Sequence, residues 1–106
     1  MLTTEQIQQM ADIIAERFQP EKIILFGSYA TGTATDDSDV DLLVIEESDL
    51  PRYKRAVPLY RALCDAPASV DIVVFTPAEV DEWRNVQDAL VTRAANQGRM
   101  LYEKTA

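Results

Sequence analysis

Three short runs of mostly apolar residues, Lys22 to Phe26, Val40 to Ile45 and Val70 to Phe75, constrain this chain more than any other feature. Each is rich in Ile, Leu and Val and, past its opening residues, apolar on both faces. That is the pattern of a strand covered on two sides rather than half exposed to water. Such strands need layers above and below them, and the stretches between the runs read as helices. Thr3 to Phe18 carries Ile7, Met10, Ala11, Ile14 and Phe18 at helical spacing, opens on a Thr3–Gln6 capping box and stops before Pro20. Leu50 to Asp65 puts Tyr53, Ala56, Val57, Tyr60 and Leu63 on one stripe, with Pro58 placed to kink or split it. Thr76-Pro77-Ala78-Glu79 joins an N-cap, a proline at the first helical position and a capping-box glutamate. That helix is expected to break near Asn85, a second to run from Val86 to Gln97, and Gly98 to cap it. Tyr29 to Ala34 reads as one or two helical turns and Arg99 to Tyr102 as a last edge strand. The expected fold class is α/β (α+β), a small mixed β-sheet of three to four strands packed with helices, as one domain over residues 1–106.

Charge and missing residues narrow the chemistry. The chain has 18 acidic and 10 basic residues, a net charge of -8. No base lies between Lys22 and Arg52, where Asp36, Asp37, Asp39, Asp41, Glu46, Glu47 and Asp49 are found. An acidic stretch of this kind argues against direct nucleic-acid binding, which needs clustered Lys and Arg, and leaves open a local site for cations. With no His, imidazole-based catalysis and HExxH zinc sites are excluded. The single Cys64 forms no internal disulfide, which suits a reducing cytoplasm, and beside Leu63 it reads as a packed thiol. The first residues show no secretory leader, and no apolar run is long enough to span a membrane.

The informative segment runs from Phe26 to Asp41. Gly27-Ser28 follows a strand and opens a helical turn, where backbone N–H groups without intrahelical partners can face a phosphate. After ten intervening residues come Asp39 and Asp41, two apart and so on one side of a strand. Two carboxylates that close repel unless a cation sits between them, and an all-oxygen donor set favours magnesium or manganese over zinc. Asp71 opens the third run and reaches the same pocket if strand three lies beside strand two, parallel or antiparallel. Asp36, Asp37, Glu46, Glu47 and Asp49 read as surface charge.

Gly27-Ser28, the ten-residue spacer, Asp39-x-Asp41 and a later strand carrying Asp71 resemble the polymerase-beta-like nucleotidyltransferase superfamily. ILFGSYATG and DSDVDLLV are most similar to the minimal nucleotidyltransferase (MNT) proteins. The resemblance implies an enzyme that transfers AMP from ATP to a hydroxyl. Gly27 and Ser28 would hold the triphosphate, and Asp39 and Asp41 would ligate two magnesium ions. Asp71 would bind the catalytic ion and help deprotonate the acceptor. It further implies an antitoxin whose acceptor is a tyrosine of a cognate HEPN ribonuclease toxin. The alternatives are an antitoxin that neutralises by binding alone, and a transferase for a small hydroxylated molecule. In one respect the chain departs from the pattern: similar proteins often carry Arg where Thr31 stands. Arg52, Lys54, Arg55 and Arg61 are the candidates to replace that cation, against a solvated helix face as the plainer role for most of them.

Overall fold

The computed structural model describes residues 1–66, 69–83 and 90–105. The first helix, α1, spans Thr4–Phe18. It begins where expected because Thr3 Oγ1 accepts from the Gln6 N–H at 3.1 Å while Gln6 Oε1 accepts from the Thr3 N–H at 2.8 Å. It ends at Gln19, which turns left-handed and returns its N–H to the Ala15 carbonyl at 3.0 Å. The three apolar runs form β1 (Lys22–Phe26), β2 (Val40–Ile45) and β3 (Val70–Phe75), and Arg99–Glu103 forms β4.

The four strands make one mixed sheet in the order β3-β2-β1-β4. β2 and β4 run antiparallel to β1, and β3 runs parallel to β2. A parallel pair requires a crossover. Here it contains two short helices, α3 (Arg52–Arg55) and α4 (Val57–Ala62). The short helix between β1 and β2 is Ser28–Thr31, α2; after β3 come α5 (Pro77–Trp83) and α6 (Leu90–Gln97). The expected break near Asn85 and helix start at Val86 lie outside the described residues.

Helices cover both faces, as the doubly apolar strands require. On one face Ile7, Met10, Ala11 and Ile14 of α1 and Leu59 of α4 pack with Ile23, Leu25, Leu42, Val44, Ile72 and Val74. On the other, Ala94 of α6 packs with Ile24, Leu43, Ile45 and Phe75, and Val80 of α5 adjoins them. No helix among the described residues is long and apolar enough to cross a membrane.

Of the stripe expected over Leu50 to Asp65, Leu63 is buried and Ala56 packs against the core, but Tyr53, Val57 and Tyr60 are not buried. The helix splits at Ala56, as Pro58 leads one to expect, and a new one starts at Val57 with Pro58 in its first turn. The restart breaks the 3.6-residue phase, so Leu59 and Leu63 turn inward while Tyr53, Val57 and Tyr60 are exposed. Tyr60 is still tied to the fold: its hydroxyl accepts from the Ile72 N–H at 2.8 Å and so satisfies a donor on the free edge of β3. Cys64 is exposed rather than packed, because Leu63 takes the inward position of the turn after α4.

Candidate active site

The topology gathers the chemistry at one end of the sheet. β1 finishes there at Phe26 and, running the other way, β2 and β3 begin there. In register, Phe26 pairs with Asp41 and Asp41 with Asp71, a single row across three strands. Residues in one row point to one face, and neighbouring strands lie about 4.8 Å apart, so the Asp41 and Asp71 side chains share a face at close range. It is the face covered by α5 and α6, where Asp41 stands in line with the buried Leu43 and Ile45. Asp39 precedes β2 and is exposed.

Burial raises the Asp41 carboxyl above its ordinary value, and the negative charges of Asp71 and Asp39 and a hydrogen bond with Asp71 raise it further. Among the described residues no basic side chain offsets this: Arg52 and Arg55 lie at the far end of β3. There Arg55 bridges Glu79 at 2.6 Å and the Val74 carbonyl at 3.3 Å, and Arg52 meets Glu79 at 3.2 Å. The Arg52 guanidinium also lies 4.5 Å from the Phe75 ring centre, and the Lys54 ammonium 5.8 Å from that of Tyr53. Arg52 and Arg55 therefore clamp α3 to α5 and do not replace a cation near residue 31.

Gly27 explains why the Asp41 carboxylate sits where it does. Its backbone (φ 74°, ψ -156°) lies in a region open to glycine almost alone. A Cβ there would overlap Asp41 Oδ2 and lie 3.1 Å from Asp41 Cγ. The glycine thus lets the carboxylate rest directly against the chain at the start of the Ser28 turn. Thr31 contributes no charge; its hydroxyl lies 3.0 Å from that of Thr33 and 3.3 Å from the Gly27 carbonyl. Sequence reasoning missed Arg93, which α6 brings to a cavity of about 280 Å³ beside Gly27 and Thr31. Helical spacing with Gln97 was its only signal, and spacing does not say what a helix face looks at.

Oxygen donors with unbalanced negative charge fit a divalent cation such as magnesium, which would replace the repulsion now raising Asp41. Among the described residues, no three acidic or thiol side chains already close around one point as a finished cage.

A mixed sheet with carboxylates at one end beside a Gly-Ser turn defines the chain first as a protein of the nucleotidyltransferase fold. A solved Sulfolobus solfataricus protein, provisionally assigned as a nucleotidyltransferase, aligns over 94% of this chain and 79% of its own with a TM-score of 0.66 at 20% identity. The nucleotidyltransferase domain family matches residues 7–97, and the chain belongs to that family. A toxin–antitoxin crystal structure with AMP-PNP aligns over 98% of this chain and 76% of its own, with a TM-score of 0.61 and 26% identity. Among curated relatives, the protein adenylyltransferase MntA of Thermococcus cleftensis is 46% identical over 63 residues, covering 56% of this chain and 63% of that one. A Methanocaldococcus jannaschii protein provisionally named a protein adenylyltransferase is 32% identical over 60 residues, covering 56% and 60%. The matched segments thus span about 60% of the length of these two relatives.

Proposed function

We propose that this chain is a magnesium-dependent protein adenylyltransferase that moves AMP from ATP to a hydroxyl, most naturally a tyrosine of a HEPN-type toxin for which it is the antitoxin. The observation that carries the reading is the row Asp41–Asp71, with Asp39 beside it, set against the Gly27-Ser28 turn. Relatives named as adenylyltransferases and a toxin–antitoxin neighbour with a nucleotide analogue support both the reaction and the kind of partner.

In this reading Gly27 and Ser28 receive the phosphate tail. Asp39, Asp41 and Asp71 would hold two magnesium ions, which when bound supply Lewis-acid stabilisation of the attacking and leaving oxygens. The acceptor oxygen bonds to the α-phosphorus, the bond from that phosphorus to the bridging oxygen breaks, and pyrophosphate departs with the electron pair. Asp71, exposed at the edge of the row, takes the acceptor's proton. Asp41, held against Gly27, keeps its carboxylate aimed at the reacting phosphate. The lone thiol and absent disulfide suit the cytoplasm, where such a partner would be met.

The test is transfer of label from α-labelled ATP, with magnesium, to a candidate HEPN-type partner. Wild type should label a tyrosine of the partner, and Asp39→Ala/Asp41→Ala should not. If the double variant neutralises the partner as well as wild type does, the chain acts by occlusion and the catalytic reading is wrong. Label on a small hydroxylated molecule and none on protein would reassign the acceptor.

A further inference from the structure

The cavity beside Gly27 opens on the same sheet face as Asp41. Gly27 and Thr31 line it from one side, Arg93 and Gln97 of α6 from the other, with Phe26 at the end of β1. Among the described residues no carboxylate lines it, and Arg93 is its single charged residue. Arg93 takes part in none of the ion pairs Met1–Asp36, Lys22–Glu103, Arg52–Glu79 and Arg55–Glu79 seen among the described residues. An exposed arginine is unremarkable alone; its placement is not. Arg93 and Gln97 are four apart and share one helix face. Ala94, 2% exposed, anchors that face on the sheet. Gly98, where a Cβ would lie 2.7 Å from the Leu25 carbonyl oxygen, lets the end of α6 close onto β1. The Arg93 side chain therefore leaves from a backbone position held against the sheet beside the cavity.

The size and polarity of the cavity choose the occupant. At about 280 Å³ it falls just under the roughly 300–1,000 Å³ of pockets that enclose a whole drug-sized ligand. It suits part of a nucleotide. A guanidinium with an amide and a hydroxyl, and no acid, suits the anionic part, since the guanidinium fork matches phosphate oxygens two at a time.

We propose that Arg93, with Gln97 beside it, binds the outer phosphates of the donor nucleotide and so holds the pyrophosphate that leaves. This rests on the nucleotidyl-transfer reading of the same site and adds to it that the tail's cation comes from α6. When the acceptor oxygen bonds to the α-phosphorus and the bond to the bridging oxygen breaks, the electron pair passes to the pyrophosphate. Arg93 faces that growing charge and transfers no proton.

The test compares wild type with Arg93→Gln, Arg93→Lys and Gln97→Ala, measuring binding of magnesium tripolyphosphate and of adenosine by calorimetry and AMP transfer by initial rates. Circular dichroism checks that each variant is folded. Arg93→Gln should weaken tripolyphosphate binding and raise KM for ATP about 10- to 100-fold, the range for losing one charged hydrogen-bonding group. Arg93→Lys should fall between it and wild type, and adenosine binding should not move. If Arg93→Gln binds tripolyphosphate and ATP as wild type does while wild type still transfers AMP, the inference is wrong and the transferase reading stands. If the variant loses adenosine rather than tripolyphosphate, the cavity holds the nucleoside and the inference is again wrong. A wild type that binds no nucleotide and transfers nothing overturns both.

Discussion

Replacing Gly27 by alanine separates what the fold needs from what the chemistry needs. At φ 74° and ψ -156° the residue occupies a region that costs a non-glycine side chain about 1–3 kcal/mol. Unfolding entropy of about 2.1 cal/mol/K per residue, applied to 106 residues, converts that cost into a Tm lower by about 5–13 °C. The new methyl would also overlap Asp41 Oδ2. A carboxylate can swing aside at small cost in stability, but then it leaves the place where the phosphate is met. Displacement of a reacting group by about 1 Å can cost on the order of 100-fold in rate, so AMP transfer should fall at least that far. Gly32→Ala is the control. Gly32 is also left-handed, at φ 81°, but a Cβ there meets nothing within 4 Å. It should cost about 1–2 kcal/mol of stability and leave transfer near wild type. Thermal melts and initial rates at a temperature where both variants are folded make the comparison. If Gly27→Ala transfers AMP as fast as Gly32→Ala, contact with Gly27 does not position Asp41 and the reasoning fails.

Three further outcomes are expected. Because Asp41 is raised above 3.8 by burial and by its acidic neighbours, its charged form destabilises the fold. Without magnesium, stability should therefore fall as pH rises through and beyond that value, and Asp41→Asn should melt higher than wild type at pH 7 yet transfer nothing; a lower Tm would refute the electrostatic account. Magnesium at about 100 times its Kd should stabilise wild type by about 2.7 kcal/mol in thermal melts and leave Asp41→Asn unmoved, and equal stabilisation of both would place the ion elsewhere. Glu79, held at about 2 chiefly by its hydrogen bond with Arg55, contributes stability that is present above its ordinary 4.5 and lost as pH falls toward 2. Glu79→Gln should cost roughly 2 kcal/mol near neutral pH in urea melts, through the lost ion pairs and helix cap, with the gap to wild type closing in acid and KM for ATP unchanged. A changed KM would mean that this clamp reaches the site.

Local rules were enough where a segment's structure depends on its own residues. The Thr3–Gln6 and Thr76–Glu79 boxes form as their spacing requires, the latter with the Thr76 N–H on Glu79 Oε1 at 2.8 Å. The three apolar runs are strands because their residues leave no polar face. They failed where a proline resets the helical phase. The stripe drawn across Pro58 assigns Tyr53, Val57 and Tyr60 to the core and omits Leu59, whereas Leu59 is buried along with Leu63, which the stripe did include; Cys64, read as packed beside Leu63, is exposed. They failed also for Glu46, read as plain surface charge: it directly follows β2, its N–H bonds to the Phe75 carbonyl, and burial raises its carboxyl.

The sequence by itself determined which side chains have no ordinary structural use: a glycine and a serine after a strand, and acids opening two strands otherwise apolar. Periodicity sees one segment at a time, so it could not say that these residues meet. That is decided by strand order and direction. With β1 antiparallel to β2 and β2 parallel to β3, the end of the first strand and the beginnings of the other two fall at one edge, and the register sets Phe26, Asp41 and Asp71 in a row. Docking of α6 decided the rest: it brings Arg93 to the Gly27 turn, 66 residues away along the chain. Arg52 and Arg55, nearer in sequence, are held at the opposite end by Glu79. Charges act over ångströms of space, and only the packed fold converts distance along the chain into distance between charges.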